Sequence, residues 1–199
     1  MKVPTRLGVL LSGGGRTLQN LIDRIADESL RAKIEVVIAS DPKAFGLERA
    51  RKAGIPDVVV ARKPYKDAES YSRAVTEALE RHPIDLVIMA GFIHLYLFPP
   101  PWAGRVLNIH PALLPEFGGK GYYGHHVHEA VLKAGARESG CTVHFADQRY
   151  DTGTIILQKR VPVLPTDTPD ALAERVFAAE CEAYPEAIRR VAAGEVLPR

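Results

Sequence analysis

Short apolar runs rich in β-branched residues alternate with amphipathic stretches along the first half of the chain. The apolar runs predict strands at Leu7–Leu11, Ile34–Ser40, Asp57–Ala61, Ile84–Ala90 and Arg105–Ile109. The amphipathic stretches predict helices at Thr17–Ala26, Ala44–Ala53 and Ala68–Arg81. Continuous apolar strands separated by helices are typical of a parallel sheet covered on both faces. The pattern therefore predicts an α/β fold with a mostly parallel, twisted sheet and helices on both faces.

The pattern changes after Pro111. Leu114–Gly124 (LPEFGGKGYYG) shows no periodicity and is rich in glycine, which predicts a loop. The remaining elements are predicted to be a helix at His125–Ala134, two neighbouring strands at Cys141–Ala146 and Gly153–Val163, and a terminal helix at Asp167–Ala193. The last helix opens with Thr-Asp-Thr-Pro-Asp, a strong N-cap signal. No repeat or interdomain linker is evident, so residues 1–199 are predicted to form a single domain.

Composition and charge narrow the classes of partner. The chain is 46% hydrophobic and 25% charged, with a net charge of +2, which is too small to indicate a nucleic-acid or membrane partner. Cys141 and Cys181 stand in no metal or redox spacing, which suits a reducing compartment. Met1–Leu11 does not resemble a signal peptide, and no run approaches the roughly 20 apolar residues of a membrane span. We therefore expect a soluble, cytoplasmic protein with small-molecule partners, either a monomer or a homodimer.

Three polar clusters follow predicted strands: Ser12–Thr17, His94–Tyr96 and Asn108–His110. In open parallel sheets, ligands gather beyond the carboxyl ends of the strands. The clusters therefore indicate where a site should lie.

The first cluster is a glycine-rich turn with the sequence Ser12-Gly13-Gly14-Gly15-Arg16-Thr17. Glycines let a ligand approach the backbone, and free N–H groups at a helix start favour an anion such as a phosphomonoester. Arg16 can add a charge-assisted contact. The turn lacks the third glycine of a dinucleotide fingerprint, where Leu18 stands, and the Gly-Lys-Ser/Thr of a P-loop. A tight turn without a ligand is the alternative interpretation.

Asn108 and His110 are two positions apart at a strand end, so their side chains can point to the same side. This pair suits acyl transfer to an amine, because an amide can stabilise an oxyanion and an imidazole can move protons. A nearby carboxylate would raise the pKa of the histidine and favour its acid form. Asp151 is the first candidate for that carboxylate, and Asp147 is a weaker one. A hydrogen-bonded pair without catalytic function is the alternative.

Several segments, in this order, resemble the folate-dependent phosphoribosylglycinamide formyltransferases: SGGGRTLQNLID, SDPKAFGLERARKAGIP, DLVIMAGF, GRVLNIHPALLP, CTVHFADQRYDTGTIILQKRVPV and AAECEAYPEAI. The similarity extends from about Leu7 to Val191. The resemblance implies a single Rossmann-like domain with the formyltransferase fold. It also implies transfer of a formyl group from 10-formyltetrahydrofolate, as co-substrate and without a metal, to the amine of glycinamide ribonucleotide in de novo purine biosynthesis.

The resemblance also implies roles for individual residues. Asn108 would stabilise the oxyanion, His110 would act in general acid and proton transfer, and Asp151 would raise the His110 pKa. The substrate would be bound by Gly14, Gly15, Arg16, Thr17, Pro111 and Glu180. The folate would be bound by Ile93, His94, Leu95 and Tyr96, mainly through their backbone, together with Asn108. His144 lies in the matching T-V-H-F strand, close to the active-site loop.

Departures from the family pattern bear on the substrates. Arg16 and Thr17 replace the usual serine and asparagine of the turn, His94 replaces an arginine beside the pterin, and Ala68 replaces one that meets the folate tail. The loop between Pro115 and His128 is about five residues longer than in bacterial relatives, and it borders the substrate amine in the family. These changes leave open a different amine acceptor.

Other interpretations concern the histidines, the cysteine and the tyrosines of the second half. His125, His126 and His128 suggest a metal site, but no acidic or cysteine partner stands at a diagnostic spacing, so a helix start with polar caps is favoured. Cys141 is expected to pack in a strand rather than act as a nucleophile. Tyr122 and Tyr123 fit either a mobile lid or surface packing.

Two further functions compete with amine formylation. A formyltetrahydrofolate hydrolase would use the same chemistry with water as acceptor. Hydrolases of that type carry an extra N-terminal domain, and this chain starts close to its first predicted strand. A phosphate-binding module without catalysis would not require the asparagine, histidine and aspartate together.

Overall fold

The computed structural model describes residues 3–198, and within them it contains seven strands and five α-helices. The strands are β1 (Thr5–Leu11), β2 (Ala32–Ala39), β3 (Asp57–Val59), β4 (Leu86–Met89), β5 (Val106–His110), β6 (Glu138–Phe145) and β7 (Ile155–Pro162). The helices are α1 (Arg16–Ala26), α2 (Gly46–Lys52), α3 (Ala68–Leu79), α4 (His125–Lys133) and α5 (Pro169–Ala192). A short 3-10 helix spans Pro100–Trp102.

The strands form one sheet in the order β3-β2-β1-β4-β5-β6-β7. β1 pairs in parallel with β2 and β4, and β2 pairs in parallel with β3. β6 and β7 pair antiparallel, from Glu138 opposite Pro162 to His144 opposite Ile155. The predicted α/β class and mostly parallel sheet are confirmed, as is the pairing of the last two strands.

The chain divides into two compact units, and the boundary along the chain falls within β5. The first unit ends at Leu107 and the second begins at Asn108. In the first unit Leu7, Val9, Leu10 and Leu11 of β1 have no exposed surface. Consecutive strand residues point to opposite faces, so β1 is covered on both. Each fully buried leucine side chain contributes about 1.5–3 kcal/mol to stability.

In the second unit α5 packs against β6, β7 and α4. It begins where the sequence indicates, since the Thr168 side chain accepts a hydrogen bond from the Ala171 N–H at 3.2 Å and Pro169 follows as the first helical residue. Proline suits that position because its missing N–H would have no partner in the helix. No helix in residues 3–198 combines the length and the apolar character that crossing a membrane requires.

Candidate active site

Asn108 and His110 lie at the carboxyl end of β5, with the buried Ile109 between them. His110 is 3% exposed and Asn108 is half-buried. Both side chains contact the same carboxyl group, so they lie on one side of the strand, as their spacing predicts.

That carboxyl group belongs to Asp151, in the turn between β6 and β7. Its Oδ2 lies 3.5 Å from His110 Nδ1, and its Oδ1 accepts a hydrogen bond from Asn108 Nδ2 at 3.2 Å. The structure thus brings together the three residues predicted to be catalytic. Asp147 lies elsewhere, because its carboxylate is bound by the Arg149 N–H and the Thr152 hydroxyl.

The charge of Asp151 results from opposing effects. Burial of the carboxyl group acts to raise its pKa, but the polar groups around it outweigh burial and lower the pKa. The Gly119 N–H, which donates to Oδ2 at 2.9 Å, acts in the same direction. Asp151 is therefore an anion at neutral pH.

The His110 ring is neutral because burial lowers its pKa. Burial lowers the pKa of His110, and the neighbouring Asp151 carboxylate and Phe117 carbonyl, which both act to raise it, do not compensate. The carboxylate acts to raise this pKa, as expected, but burial outweighs it, so the acid form of the ring is not favoured. Removing an imidazolium from water costs more than one carboxylate at 3.5 Å returns.

The loop that follows β5 forms hydrogen bonds with His110 and Asp151. The Phe117 carbonyl accepts a hydrogen bond from His110 Nε2 at 2.7 Å, and Gly119 binds Asp151. Phe117 adopts a left-handed backbone conformation with φ 53°, which is unusual for a bulky residue. A ligand that forms a hydrogen bond with His110 Nε2 must therefore displace the Phe117 carbonyl.

His144 is a further member of the cluster that sequence reasoning left without a role. Its Nε2 lies 3.1 Å from Asn108 Nδ2 and 3.5 Å from Asp151 Oδ1. A histidine within the apolar run of β6 was the available signal, because a buried polar side chain requires a partner.

The glycine-rich turn lies in the first unit, between β1 and α1. Gly15 is the N-cap of α1 with φ 68°, and no side chain of residues 3–198 caps the helix. A Cβ at Gly13 or Gly14 would meet no described atom within 4 Å. Arg49 donates from Nε to the Gly14 carbonyl at 2.9 Å, which fixes the turn and adds positive charge. Gly14 and Arg16 are exposed and Thr17 is half-buried, so an anion can reach the helix start.

The segment predicted to bind folate follows β4 in the same unit. Ile93 is 46% exposed, and its N–H donates to the Ser12 hydroxyl at 3.1 Å. The His94 ring packs edge-on against Tyr71 and Phe92, and burial lowers the pKa of His94, with a smaller contribution from the positive charge of Arg62.

The other two residues of this segment differ from each other in exposure. Leu95 is half-buried. The Tyr96 side chain is 2% exposed and its hydroxyl bonds that of Thr76 at 2.9 Å, so Tyr96 can offer a ligand only its backbone.

The remaining candidates lie in the second unit. Pro111 and Glu180 are half-buried. Cys141 is fully buried, and burial raises the pKa of its thiol to about 12, which is consistent with strand packing and not with a nucleophile. Tyr122 and Tyr123 are 40% and 47% exposed.

The histidines of α4 do not form a metal centre with their neighbours. Within residues 3–198 no group of three or more histidine, cysteine, aspartate or glutamate side chains is arranged to hold a metal ion. His125 contacts Asp170 at 3.4 Å, and His126 contacts Glu129 at 3.3 Å. The expected polar cap is wrong, since the N-cap of α4 is Gly124 with no side-chain hydrogen bond.

Taken together, the fold and the site define an α/β protein with an amide, an imidazole and an ionised carboxylate clustered at a strand end. Residues 5–188 match the family model described as formyl transferase. The chain belongs to this formyl transferase family.

Named relatives of the chain come from animals, plants and bacteria. The chain is 42% identical over 196 residues to the trifunctional purine biosynthetic protein adenosine-3 of Drosophila melanogaster, covering 96% of this chain but only 14% of that protein. It is 38% identical to the chloroplastic phosphoribosylglycinamide formyltransferase of Arabidopsis thaliana, covering 92% of this chain and 64% of that protein.

Among solved structures, glycinamide ribonucleotide transformylase 1 from Symbiobacterium toebii superposes with a TM-score of 0.89 at 38% identity. The match covers 98% of this chain and 90% of that chain. The likeness therefore extends over most of the length of this bacterial transformylase, whereas the chain corresponds to a small part of the trifunctional animal proteins.

Proposed function

We propose that the protein transfers the formyl group of 10-formyltetrahydrofolate to the amine of glycinamide ribonucleotide, a step of purine biosynthesis. The observation that carries this proposal is the contact of Asn108, His110 and Asp151 within a formyl transferase family member. The names of the relatives supply the acceptor, since both the plant and the bacterial proteins are named for glycinamide ribonucleotide.

In the proposed mechanism the amine attacks the formyl carbon and forms a tetrahedral intermediate. Asn108 donates an amide N–H to the oxygen on which negative charge develops. Once the Phe117 carbonyl is displaced, the Asp151 carboxylate favours the His110 tautomer with its proton on Nδ1, which leaves a lone pair on Nε2. Nε2 then takes the proton of the attacking amine and returns it to the departing folate nitrogen.

The lowered pKa of His110 suits this sequence, because the ring must start neutral to accept a proton. As the amine becomes positively charged in the intermediate, its acidity rises and transfer to a weakly basic imidazole becomes favourable. The role of Asp151 is thus to orient the ring and stabilise the imidazolium that forms, rather than to keep it protonated from the start.

The remaining contacts are proposed by residue. Gly14, Gly15, Arg16 and Thr17 would bind the substrate phosphate through the uncapped start of α1, and Pro111 and Glu180 would contact the rest of that substrate. Ile93, His94, Leu95 and Tyr96 would bind the folate, with Asn108 at the formyl group. The lack of a side-chain cap on α1 within residues 3–198 and the exposure of Ile93 support these roles.

The test is to supply purified protein with 10-formyltetrahydrofolate and glycinamide ribonucleotide and to follow release of tetrahydrofolate. We expect turnover only when the acceptor is present. Turnover without acceptor would support a hydrolase instead. Turnover only with another primary amine would support formyl transfer but contradict glycinamide ribonucleotide as the acceptor.

We further propose that residues 1–199 act as one formyltransferase domain in the cytoplasm, as a monomer or homodimer. The family match from residue 5 to residue 188 supports one domain. Cys141 and Cys181 are not joined in a disulfide, which suits a reducing compartment. A single cooperative unfolding transition is expected, and two separate transitions would contradict it. Light scattering of the purified chain would decide the oligomeric state.

A further inference from the structure

The His144 ring contacts two of the three residues proposed to be catalytic, Asn108 and Asp151. It lies on β6 and is 1% exposed. Its Nε2 lies 3.1 Å from Asn108 Nδ2 and 3.5 Å from Asp151 Oδ1. The mechanism above gives this buried, titratable ring no task.

The opposite side of the ring determines where its proton lies. His144 Nδ1 is 2.8 Å from the Phe145 carbonyl oxygen, which can only accept a hydrogen bond. Nδ1 must therefore carry a hydrogen. In the neutral ring Nε2 is then a lone pair, and it accepts a hydrogen bond from the Asn108 amide.

The Asn108 amide is oriented by the same contacts. Its atom near His144 also lies 3.2 Å from the Asp151 carboxylate oxygen, and two oxygens at that distance would repel each other. That atom is therefore the amide nitrogen. One of its hydrogens is directed at His144 and the other at Asp151, so the amide is held at two points.

We propose that His144 is a positioning residue for formyl transfer, which acts by presenting Nε2, opposite its Nδ1–H, as the acceptor that fixes the Asn108 amide with its nitrogen toward the reaction centre. The proposal rests on the proposed function for its kinetic consequences. In the free protein His144 satisfies an amide hydrogen that would otherwise be buried without a partner. When negative charge develops on the formyl oxygen, that stronger acceptor draws the same N–H from the imidazole.

The first test is kinetic and uses two substitutions of one residue. His144→Ala removes the acceptor, and we expect kcat to fall by about 10- to 100-fold with KM for both substrates nearly unchanged. His144→Gln places an amide oxygen near the former Nε2, and we expect it to restore kcat to within about 5-fold of the parent.

The matched control is Val143→Ala, on the same strand and with no exposed surface in the parent. It lowers thermal stability while kcat stays close to that of the parent. If His144→Ala keeps the parent kcat, or if His144→Gln and Val143→Ala lose as much kcat as His144→Ala, His144 has only a structural role.

The second test needs no turnover, so it separates failure of this proposal from failure of the proposed function. Long-range 15N–1H correlation spectra of the parent protein report the tautomer of each neutral histidine ring. We expect His144 in the Nδ1–H form, the less populated one in free histidine, and a shift of the Asn108 side-chain amide signals in His144→Ala. An Nε2–H form, or unshifted amide signals, would overturn the proposal.

Discussion

The Asn108–His110–Asp151 cluster and the glycine-rich turn are built in opposite ways. In the cluster the Asn108 nitrogen, both His110 nitrogens and both Asp151 oxygens have partners from the protein itself. In the turn, α1 starts without a side-chain cap among the described residues, and the space above Gly13 and Gly14 is open.

The difference reflects what each region must supply. Proton transfer requires a ring and an amide of defined orientation before the substrate arrives, and the protein provides that order with buried contacts. An anion brings its own strong acceptors, so the turn needs only free N–H groups and a backbone that a ligand can approach. We therefore expect turnover to fall when a polar atom of the cluster is lost. In the turn, we expect stability and substrate binding to suffer when a carbon atom is added.

The largest expected effect comes from Asp151→Asn. Asp151 has φ 55°, a conformation that asparagine also adopts readily, so the substitution removes the charge and leaves the backbone in place. We expect kcat to fall by at least ~100-fold, because the His110 ring loses the group that orients it and stabilises the imidazolium. Initial-rate assays with both substrates measure the loss.

Asp147→Asn is the control for this prediction, since Asp147 lies in the same turn but binds Arg149 and Thr152. It should leave turnover unchanged. A fully active Asp151→Asn protein would show that Asp151 has no part in the mechanism. It would also show that activity does not depend on the charge of the cluster.

The turn is tested by Gly15→Ala. The added Cβ would lie 2.7 Å from the Gly46 Cα in a backbone conformation with φ 68°. We expect the free energy of unfolding to fall by about 1–3 kcal/mol, and KM for the phosphorylated substrate to rise more than KM for the folate. Urea unfolding and initial rates measure the two effects.

Gly13→Ala is the matched variant for stability, because its Cβ meets no described atom within 4 Å and Gly13 is not among the residues with positive φ. Its free energy of unfolding should stay within about 0.5 kcal/mol of the parent. Equal losses from both variants would show that the conformation of Gly15 is not what the turn requires.

The fold was predictable from periodicity because β4 and β1 from Leu7 onward are buried at every position. β1 and β4 are continuous apolar runs, and their order along the chain predicts a parallel sheet. Element ends were less predictable, since tertiary contacts set them. α2 begins at Gly46 rather than Ala44, and the Gly46 N–H bonds the Gly13 carbonyl of a distant turn.

Within the candidate site, only features that depend on the spacing of neighbouring residues could be predicted. Two positions along a strand place Asn108 and His110 on one side, whatever surrounds them. The approach of Asp151 depends on a turn with a left-handed residue, and the net pKa of His110 depends on how much water reaches it. Neither property can be read from neighbours in the sequence. Asp151 was therefore one of two candidate carboxylates until the resemblance assigned it, and the larger effect of burial on the His110 pKa was not predicted.

The smallest expected effect is a dependence of stability on pH, which arises from buried histidines; the cluster contains one of them, and the glycine-rich turn contains none. Burial is the main cause that lowers the pKa of His94, His110 and His128 in the folded protein. The unfolded chain therefore binds protons more readily than the folded protein as pH falls through the ordinary histidine pKa near 6.5. The stability that these neutral rings contribute is present above that pKa and is lost as the pH falls toward the lowered pKa values.

We accordingly expect the free energy of unfolding, measured in urea, to be smaller at about pH 5.5 than at about pH 7.5. The carboxyl groups with lowered pKa values titrate below about pH 4 and do not contribute in this window. His128→Gln removes one of the three rings, whose Nδ1 has no hydrogen-bond partner among the described residues. This variant should show a smaller pH dependence than the parent. A parent protein that becomes more stable on acidification would mean that the cluster keeps His110 charged, and the neutral starting state of the proposed mechanism would be wrong.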